Sequence, residues 1–339
     1  MPNNPTKILL STTLIGGILI SISSNSWLGA WMGLEINLMS FIPIMSSQEN
    51  IYTTEASLKY FLVQALASST LLFMVTMKAL ISQALPASSM YAYTIMTPLL
   101  LKMGAAPLHW WFPSVMEGLS WMNCLVMMTV QKIAPMMLTS YLAKLNFLTL
   151  SAILTSVVIG SLGGMNQTSL RKILTYSSIN HTGWMLTAMV GGNNLWLMYF
   201  VVYSLLTSTV TSITKSYNIS FTNQTMTVDK NVATKYLLFT TLLSLGGLPP
   251  FIGFFPKWTV IQMLIMNKMS FVMTVMVVTS LLTLYYYLRV CYSSFVILHE
   301  EAKWTTSTNT KNSYILHGVV LSSMSMLGLI LCTAITNIN

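Results

Sequence analysis

Charge is what this sequence lacks. Of 339 residues only 7% are Asp, Glu, Lys or Arg, with 7 acidic side chains against 16 basic ones. A soluble domain carries about 25% charged residues, so this chain cannot cover a water-facing surface, and a soluble globular enzyme is excluded. The net charge of +9 is thinly spread. It forms no Lys/Arg cluster of the kind a phosphate backbone requires, which excludes a nucleic-acid binder. Cysteine is nearly absent: Cys124, Cys291 and Cys332 lie far apart, each inside an apolar run. That excludes a disulfide-stapled domain and a zinc or iron–sulfur site within this chain, and the three read as small buried apolar residues. A Walker loop and a glycine fingerprint between strand and helix are also missing. No metal and no nucleotide or redox cofactor is therefore expected to bind here.

What the sequence has is hydrophobicity, at 54% of all residues. At roughly 20 residues per membrane span, eleven spans occupy about two-thirds of the chain. The expectation is an all-α polytopic membrane protein. Apolar runs between short polar connectors predict helices over 7–24, 26–46, 56–82, 90–121, 122–142, 146–165, 171–190, 194–215, 235–267, 270–298 and 313–336. The first run follows Lys7 and resembles a signal peptide, but no small-residue cleavage site follows and a second apolar segment starts at once, so it reads as a span. The two longer connectors, 216–234 and 299–312, are rich in Thr, Asn and Lys and read as solvated loops. The first contains sequons at Asn218 and Asn223, a weak signal by themselves.

Lysine and arginine bias in the loops predicts orientation. Lys7, Arg171, Lys172, Lys215, Lys230, Lys235, Lys303 and Lys311 fall on the N-terminal side, against Lys78, Lys144 and Lys268 on the other. The N-terminus is thus expected on the positive side, cytoplasm or matrix, and an odd number of helices puts the C-terminus across the membrane.

Two of the predicted helices carry their own breakers. The fourth contains Lys102-Met-Gly-Ala-Ala-Pro107, then His109 and Pro113; the ninth contains Gly246-Gly-Leu-Pro249-Pro250, then Pro256 and Lys257. Proline removes a backbone donor and clashes with the preceding turn, so both helices should be broken. Broken backbone at membrane depth survives only where protein covers it or it lines a cavity. The two segments share a Gly-x-x-Pro pattern and lie five helices apart, so the copies run in opposite directions. Two inverted five-helix repeats, 1–144 and 145–298, followed by a loop and last helix over 299–339, would explain this and would mark a transporter-like fold. Two unrelated proline kinks would leave the same trace.

Four ionisable residues fall where charge is expensive. Glu35 lies near the middle of the second helix, in Trp31-Met-Gly-Leu-Glu35-Ile-Asn37. Lys102 precedes the first break, Lys132 sits mid-helix in Val130-Gln-Lys132-Ile-Ala-Pro135, and Lys257 follows the second break. A charge at the bilayer centre costs at least about 2.5–3.5 kcal/mol by insertion scales, so each is expected to face a polar interior. The chemistry suits proton transfer: desolvation disfavours a charged ammonium, a nearby carboxylate restores it, and coupled groups can pass protons without a metal. Arginine could not serve, because it effectively never deprotonates. His181, in Tyr176-Ser-Ser-Ile-Asn180-His181-Thr-Gly183, occupies the most polar stretch of any span. It reads either as a hydrogen-bonded packing residue or as part of a water wire. Glu55 and Lys59 are expected to pair locally, and Glu117 to lie near an interface. Trp110-Trp111 and Tyr285-Tyr-Tyr287 read as packing or lipid-interface residues. The 27 methionines are too dispersed for a copper site.

Together these residues resemble a known family. Trp31-Met-Gly-Leu-Glu35-Ile-Asn37, Glu55-Ala-Ser-Leu-Lys59-Tyr-Phe, Lys102-Met-Gly-Ala-Ala-Pro-Leu-His109, Ser177-Ser-Ile-Asn-His181-Thr-Gly183-Trp184 and Gly246-Gly-Leu-Pro-Pro-Phe-Ile-Gly-Phe-Phe-Pro-Lys257-Trp are similar to the subunit 2 family of NADH:ubiquinone oxidoreductase, respiratory complex I. The resemblance runs over almost the whole chain. Its length and helix count match the animal mitochondrial form, and the methionine excess fits a mitochondrially encoded chain. The resemblance implies an antiporter-like membrane-arm subunit with a hydrophilic axis through two inverted repeats. On it Glu35 matches the coupling glutamate, Lys102 and Lys257 the lysines of the two broken helices, Lys132 the central lysine, and His181 a polar axis position. It further implies an inner mitochondrial membrane location, with the N-terminus in the matrix and the C-terminus on the intermembrane side. Expected neighbours are antiporter-like chain 4, small membrane chain 4L and lipids such as cardiolipin. NADH, FMN, iron–sulfur clusters and ubiquinone would be held by partner subunits. Ser114 after Pro113 departs from the glutamate expected of many relatives. Two other functions remain compatible with the residues: a stand-alone cation/proton antiporter, and an assembly scaffold whose buried charges are relics.

Overall fold

The computed structural model describes residues 5–47, 50–81, 88–225 and 232–295, together with Ser323. Among these residues the chain is all-helical, with no strand beyond an isolated bridge between Ser169 and Phe221. It divides into two units between Ala152 and Ile153. The first contains α1 (Pro5–Ser23), α2 (Trp27–Met45), α3 (Ile51–Ile81), α4 (Ser88–Met103), α5 (Trp111–Gly118), α6 (Trp121–Met128), α7 (Val130–Ser140) and the start of α8 (Phe147–Gly164). The second continues with α9 (Leu170–Gly191), α10 (Asn193–Ser216), a 3₁₀ turn (Thr222–Thr225), α11 (Val232–Gly246), α12 (Phe254–Met266) and α13 (Ser270–Phe295). The predicted helix over 313–336, the connector over 299–312 and Cys332 lie outside the described residues.

Among the described residues six helices are long and apolar enough to cross a membrane: Pro5–Ser23, Trp27–Met45, Ile51–Leu80, Phe147–Gly164, Leu195–Ser216 and Ser270–Tyr292. Their outward surfaces are greasy. Leu9, Leu19, Leu62, Leu66, Phe73 and Leu281 are each more than half exposed, an arrangement that lipid accepts and water does not. Hydroxyls inside the helices are satisfied locally: Ser177, Ser178, Thr182 and Thr187 of α9 each donate to the carbonyl three residues back. Small residues set the close crossing of α1 and α2. A Cβ on Gly33 would lie 2.5 Å from the Ser21 nitrogen, and one on Gly17 would lie 2.8 Å from the Asn37 nitrogen.

The segments predicted over 90–121 and 235–267 are each divided, into α4 and α5 and into α11 and α12. Both first halves end in the same way. Gly104 has φ +69°; its N–H bonds the Leu101 carbonyl at 3.1 Å, and the next N–H, of Ala105, reaches back to Leu100 at 3.0 Å. Gly247 has φ +81°, with its N–H on Ser244 and that of Leu248 on Leu243. These are Schellman caps, in which a left-handed residue without a Cβ ends the helix while satisfying two of its last carbonyls.

One difference from expectation lies in 122–142, predicted as a single helix. It is interrupted at Thr129, with φ −115° and ψ −73°, between α6 and α7. The Thr129 hydroxyl donates to the Leu125 carbonyl at 2.7 Å, and the Lys132 N–H bonds the Thr129 carbonyl in a tightened turn. Pro135 has no N–H to offer the Gln131 carbonyl. The irregular backbone therefore falls immediately before Gln131 and Lys132.

Candidate functional site

In the first unit Lys102 closes α4 and is buried. The end of its helix is satisfied by neighbours: Gln64 of α3 donates to the Lys102 carbonyl at 3.3 Å, and the Trp111 indole to the Leu101 carbonyl at 3.2 Å. Glu35 of α2 is a charged neighbour of the Lys102 ammonium, with neither a hydrogen bond nor an ion pair between them. Glu35 is only half-buried and lines a groove of about 540 Å³. The groove walls include Leu9, Leu10, Trp31, Met32, Ile36 and Met39. The reason is the placement of α2, whose inward face is taken by Leu34, Asn37, Leu38 and Phe41. The Glu35 Oε2 atom is buried without a hydrogen-bond partner among the described residues.

Lys132 is 2% exposed, and its ammonium stands 5.1 Å from the centre of the Phe112 ring. A desolvated cation over an aromatic face gains about 2 kcal/mol. Next to it lies a feature that sequence reading missed. Asn37 of α2 and Gln131 of α7 exchange two amide hydrogen bonds, at 3.0 and 3.1 Å, and the Tyr60 hydroxyl donates to the same Gln131 oxygen at 3.4 Å. All three side chains are buried. This clasp ties the helix of Glu35 to the helix of Lys132. Its only trace in the sequence is that each amide adjoins a charged position, Asn37 two residues after Glu35 and Gln131 one before Lys132.

In the second unit Lys257 is buried on α12, beyond the break. Its ammonium donates to the Gly246 carbonyl at 2.8 Å and to the Leu245 carbonyl at 3.4 Å, the two that the Schellman cap leaves open. A cation at a helix C-terminus also meets the negative end of the helix dipole. The Trp184 ring lies on another side, 5.8 Å away. Gly247 makes room for the lysine, since a Cβ there would sit 2.8 Å from Lys257 Cδ and 3.0 Å from Nζ. Gly247→Ala is therefore expected to displace the ammonium in addition to straining a left-handed residue, at about 1–2 kcal/mol for the backbone alone. A fall in coupled turnover with the protein still assembled checks this; unchanged turnover would show that the ammonium's position is immaterial.

His181 is buried on α9, and its Nδ1 meets the Tyr199 hydroxyl of α10 at 2.8 Å. The Tyr203 ring packs against the imidazole with centroids 5.0 Å apart. The serines beside His181 in sequence bond their own helix, so its close contacts include phenols from elsewhere. Tyr199 and Tyr203 are four apart and share a helix face. The tyrosine run divides: Tyr285 is 54% exposed, whereas Tyr286 and Tyr287 are buried. Trp110 is likewise outward and Trp111 buried. Lys59 pairs with Glu55 at 2.6 Å on the surface of α3, where such pairs are worth little. Glu117 and Ser114 are exposed on α5. Cys124 and Cys291 are buried thiols, and among the described residues no three His, Cys, Asp or Glu side chains gather as a metal site.

Apolar spans with two Gly-capped interruptions, each beside a buried lysine, define an antiporter-like membrane subunit. Residues 24–283 match the family model described as NADH:quinone oxidoreductase/Mrp antiporter, transmembrane. The chain is 49% identical over 326 residues to NADH-ubiquinone oxidoreductase chain 2 of Anopheles gambiae, covering 95% of each. It is 43% identical to that of Locusta migratoria over 98% of each, and 39% identical to that of Loxodonta africana over 96% of this chain and 97% of the relative. The fold superposes on a chain of respiratory complex I from Thermus thermophilus with a TM-score of 0.83 and 25% identity, covering 98% of this chain and 80% of that one. A chain of the Mrp complex from Dietzia sp. DQ12-45-1b shares the fold alone, with a TM-score of 0.84 at 14% identity over 96% and 75% of the two chains. The chain belongs to the NADH-ubiquinone oxidoreductase chain 2 family.

Proposed function

We propose that this chain is an antiporter-like, proton-translocating subunit in the membrane arm of mitochondrial NADH:ubiquinone oxidoreductase. The observation that carries the reading is the burial of lysines beside the broken helices, Lys102 at the end of α4 and Lys257 at the end of α11. A carboxylate such as Glu35, near a buried lysine without a hydrogen bond to it, can change the protonation of the lysine by its field while leaving the lysine free to exchange its proton. Redox energy released in partner subunits alters the field at Glu35 and shifts Lys102, and the shift passes through Lys132 and His181 to Lys257, with protons exchanged with the two aqueous sides. Each charge moved against the potential requires about 2.3 kcal/mol per 100 mV, so the energy comes from outside this chain.

Under this reading the chain does no redox chemistry itself. NADH, FMN, iron–sulfur clusters and ubiquinone are held by partners, and chains 4 and 4L with inner-membrane lipids are its neighbours. The groove at Glu35 gives that carboxylate a face toward whatever packs there. The inner-membrane topology places the N-terminus in the matrix. Two inverted repeats, 1–144 and 145–298, relate the two broken helices, whose like caps at Gly104 and Gly247 support the pairing.

The test is Glu35→Gln and Lys102→Met in the assembled complex. Both are expected to lower NADH-driven proton uptake into proteoliposomes by about 100-fold, the lower part of the range for a positioned proton-transfer group. The complex should still migrate at full size on native gels. Normal pumping in both variants would leave only a scaffold role.

A further inference from the structure

We propose that Tyr199 is the proton-exchange partner of His181, so that the relay in the second unit runs through a phenol and the imidazole together. This inference rests on the proton-path reading above and extends it to a residue that reading does not include. The geometry is direct: a 2.8 Å contact between the Tyr199 hydroxyl and Nδ1, with both residues buried. At that distance and burial the bond survives as long as the two helices stay packed, and water cannot compete for it.

The surroundings extend the pair. Tyr203 packs against the imidazole from the same face of α10, its ring tilted by 43°. The Tyr203 hydroxyl neighbours Ser178, and that of Tyr287 on α13 neighbours Ser177. Tyr199 has both Tyr203 and Tyr287 as electrostatic neighbours. Two phenols of α10 therefore contact one histidine, in a region with no carboxylate among the described residues of α9 to α13. Aromatic packing alone would be served by phenylalanine at both positions. A buried hydroxyl without a role costs about 1–3 kcal/mol of desolvation.

The transfer balances as follows. In the tautomer with hydrogen on Nδ1, the imidazole donates to the Tyr199 oxygen. A proton arriving at Nε2 makes the imidazolium; Nδ1 then gives its proton to the Tyr199 oxygen as the phenol's own hydrogen passes to a water molecule, which carries it away as hydronium. One proton enters, one leaves, and no phenolate persists. The histidine is left with hydrogen on Nε2 and accepts from Tyr199 through Nδ1. Rotation of the hydroxyl and exchange of the tautomer reset the pair.

The experiment uses the assembled complex in proteoliposomes, with NADH-driven proton uptake followed by a pH-sensitive dye. Tyr199→Phe keeps the ring and removes the hydroxyl, and is expected to reduce pumping by about 100-fold, the lower end for a positioned proton-transfer group. His181→Gln retains a hydrogen-bonding partner for Tyr199 yet cannot carry the proton, and is expected to lose as much. A packing role would leave that variant active. The double variant should lose no more than either single one, because the two act as a unit. Losses that multiply in the double variant, or normal pumping in either single one, would overturn the proposal. If Tyr199→Phe fails to assemble, His181→Gln decides alone. Lys102→Met in the same preparation separates the two readings. Its failure beside a normal Tyr199→Phe sinks only the phenol relay, whereas normal pumping in Lys102→Met sinks the proton path on which the relay rests.

Discussion

Replacing Lys257 by methionine is expected to stop proton translocation and to weaken the fold as well. The ammonium donates to the Gly246 and Leu245 carbonyls at the end of α11, and no other described group serves them in its place. Methionine fills the volume of the lysine stem but offers no donor. A buried carbonyl left unpaired costs about 1–3 kcal/mol, partly offset because the ammonium's own desolvation is no longer borne. Lys102→Met should behave differently. The end of its helix α4 is served by Gln64 and Trp111 rather than by the ammonium. Thermal stability and pumping of the two variants, measured side by side in the purified complex, check this. Lys257→Met should lose both, and Lys102→Met should lose pumping with stability within about 1 kcal/mol of the parent. Equal stability loss in the two would show that the carbonyl contacts of Lys257 carry no structural weight.

The second large effect is expected at the amide clasp. Gln131→Leu leaves the Asn37 amide buried with neither of its two partners and should destabilise the chain by about 2–4 kcal/mol, since several buried polar atoms lose their bonds together. Adding Asn37→Leu should restore most of that loss, because replacing both members of a buried pair by apolar groups of similar size is nearly neutral. The Tyr60 hydroxyl, which also bonds Gln131, limits the recovery. Pumping should stay impaired in the double variant if the clasp holds the Lys132 helix in register with the Glu35 helix. Recovery of both properties would reduce the clasp to a filler of polar space. Thermal unfolding and proton uptake on the three variants give the answer.

The two predictions fall on features of different legibility. Glu35, Lys102, Lys132 and Lys257 stand out in one dimension, because a charge inside an apolar run is visible without any fold. The breaks after Met103 and Gly246 are equally plain, since Gly-x-x-Pro both supplies a left-handed position and removes a donor. The interruption at Thr129 left no such mark: threonine and a proline six residues later are tolerated in many continuous helices, and here the Thr129 side chain bonds its own helix.

Composition and the order of apolar runs, by themselves, determined that this is a helical membrane protein and marked two of its helix breaks. Those properties follow from the local cost of burying charge and of losing a backbone donor, which depends on each residue and its near neighbours. Only the tertiary structure decided what each polar group meets. Lys257 closes a helix end eleven residues away, Gln131 finds Asn37 across 94 residues, and His181 finds Tyr199 on the next helix. Helix crossings set these partnerships. They depend on how side chains such as Gly17 and Gly33 let backbones approach, and that is a property of two surfaces together, which neither run of sequence contains alone.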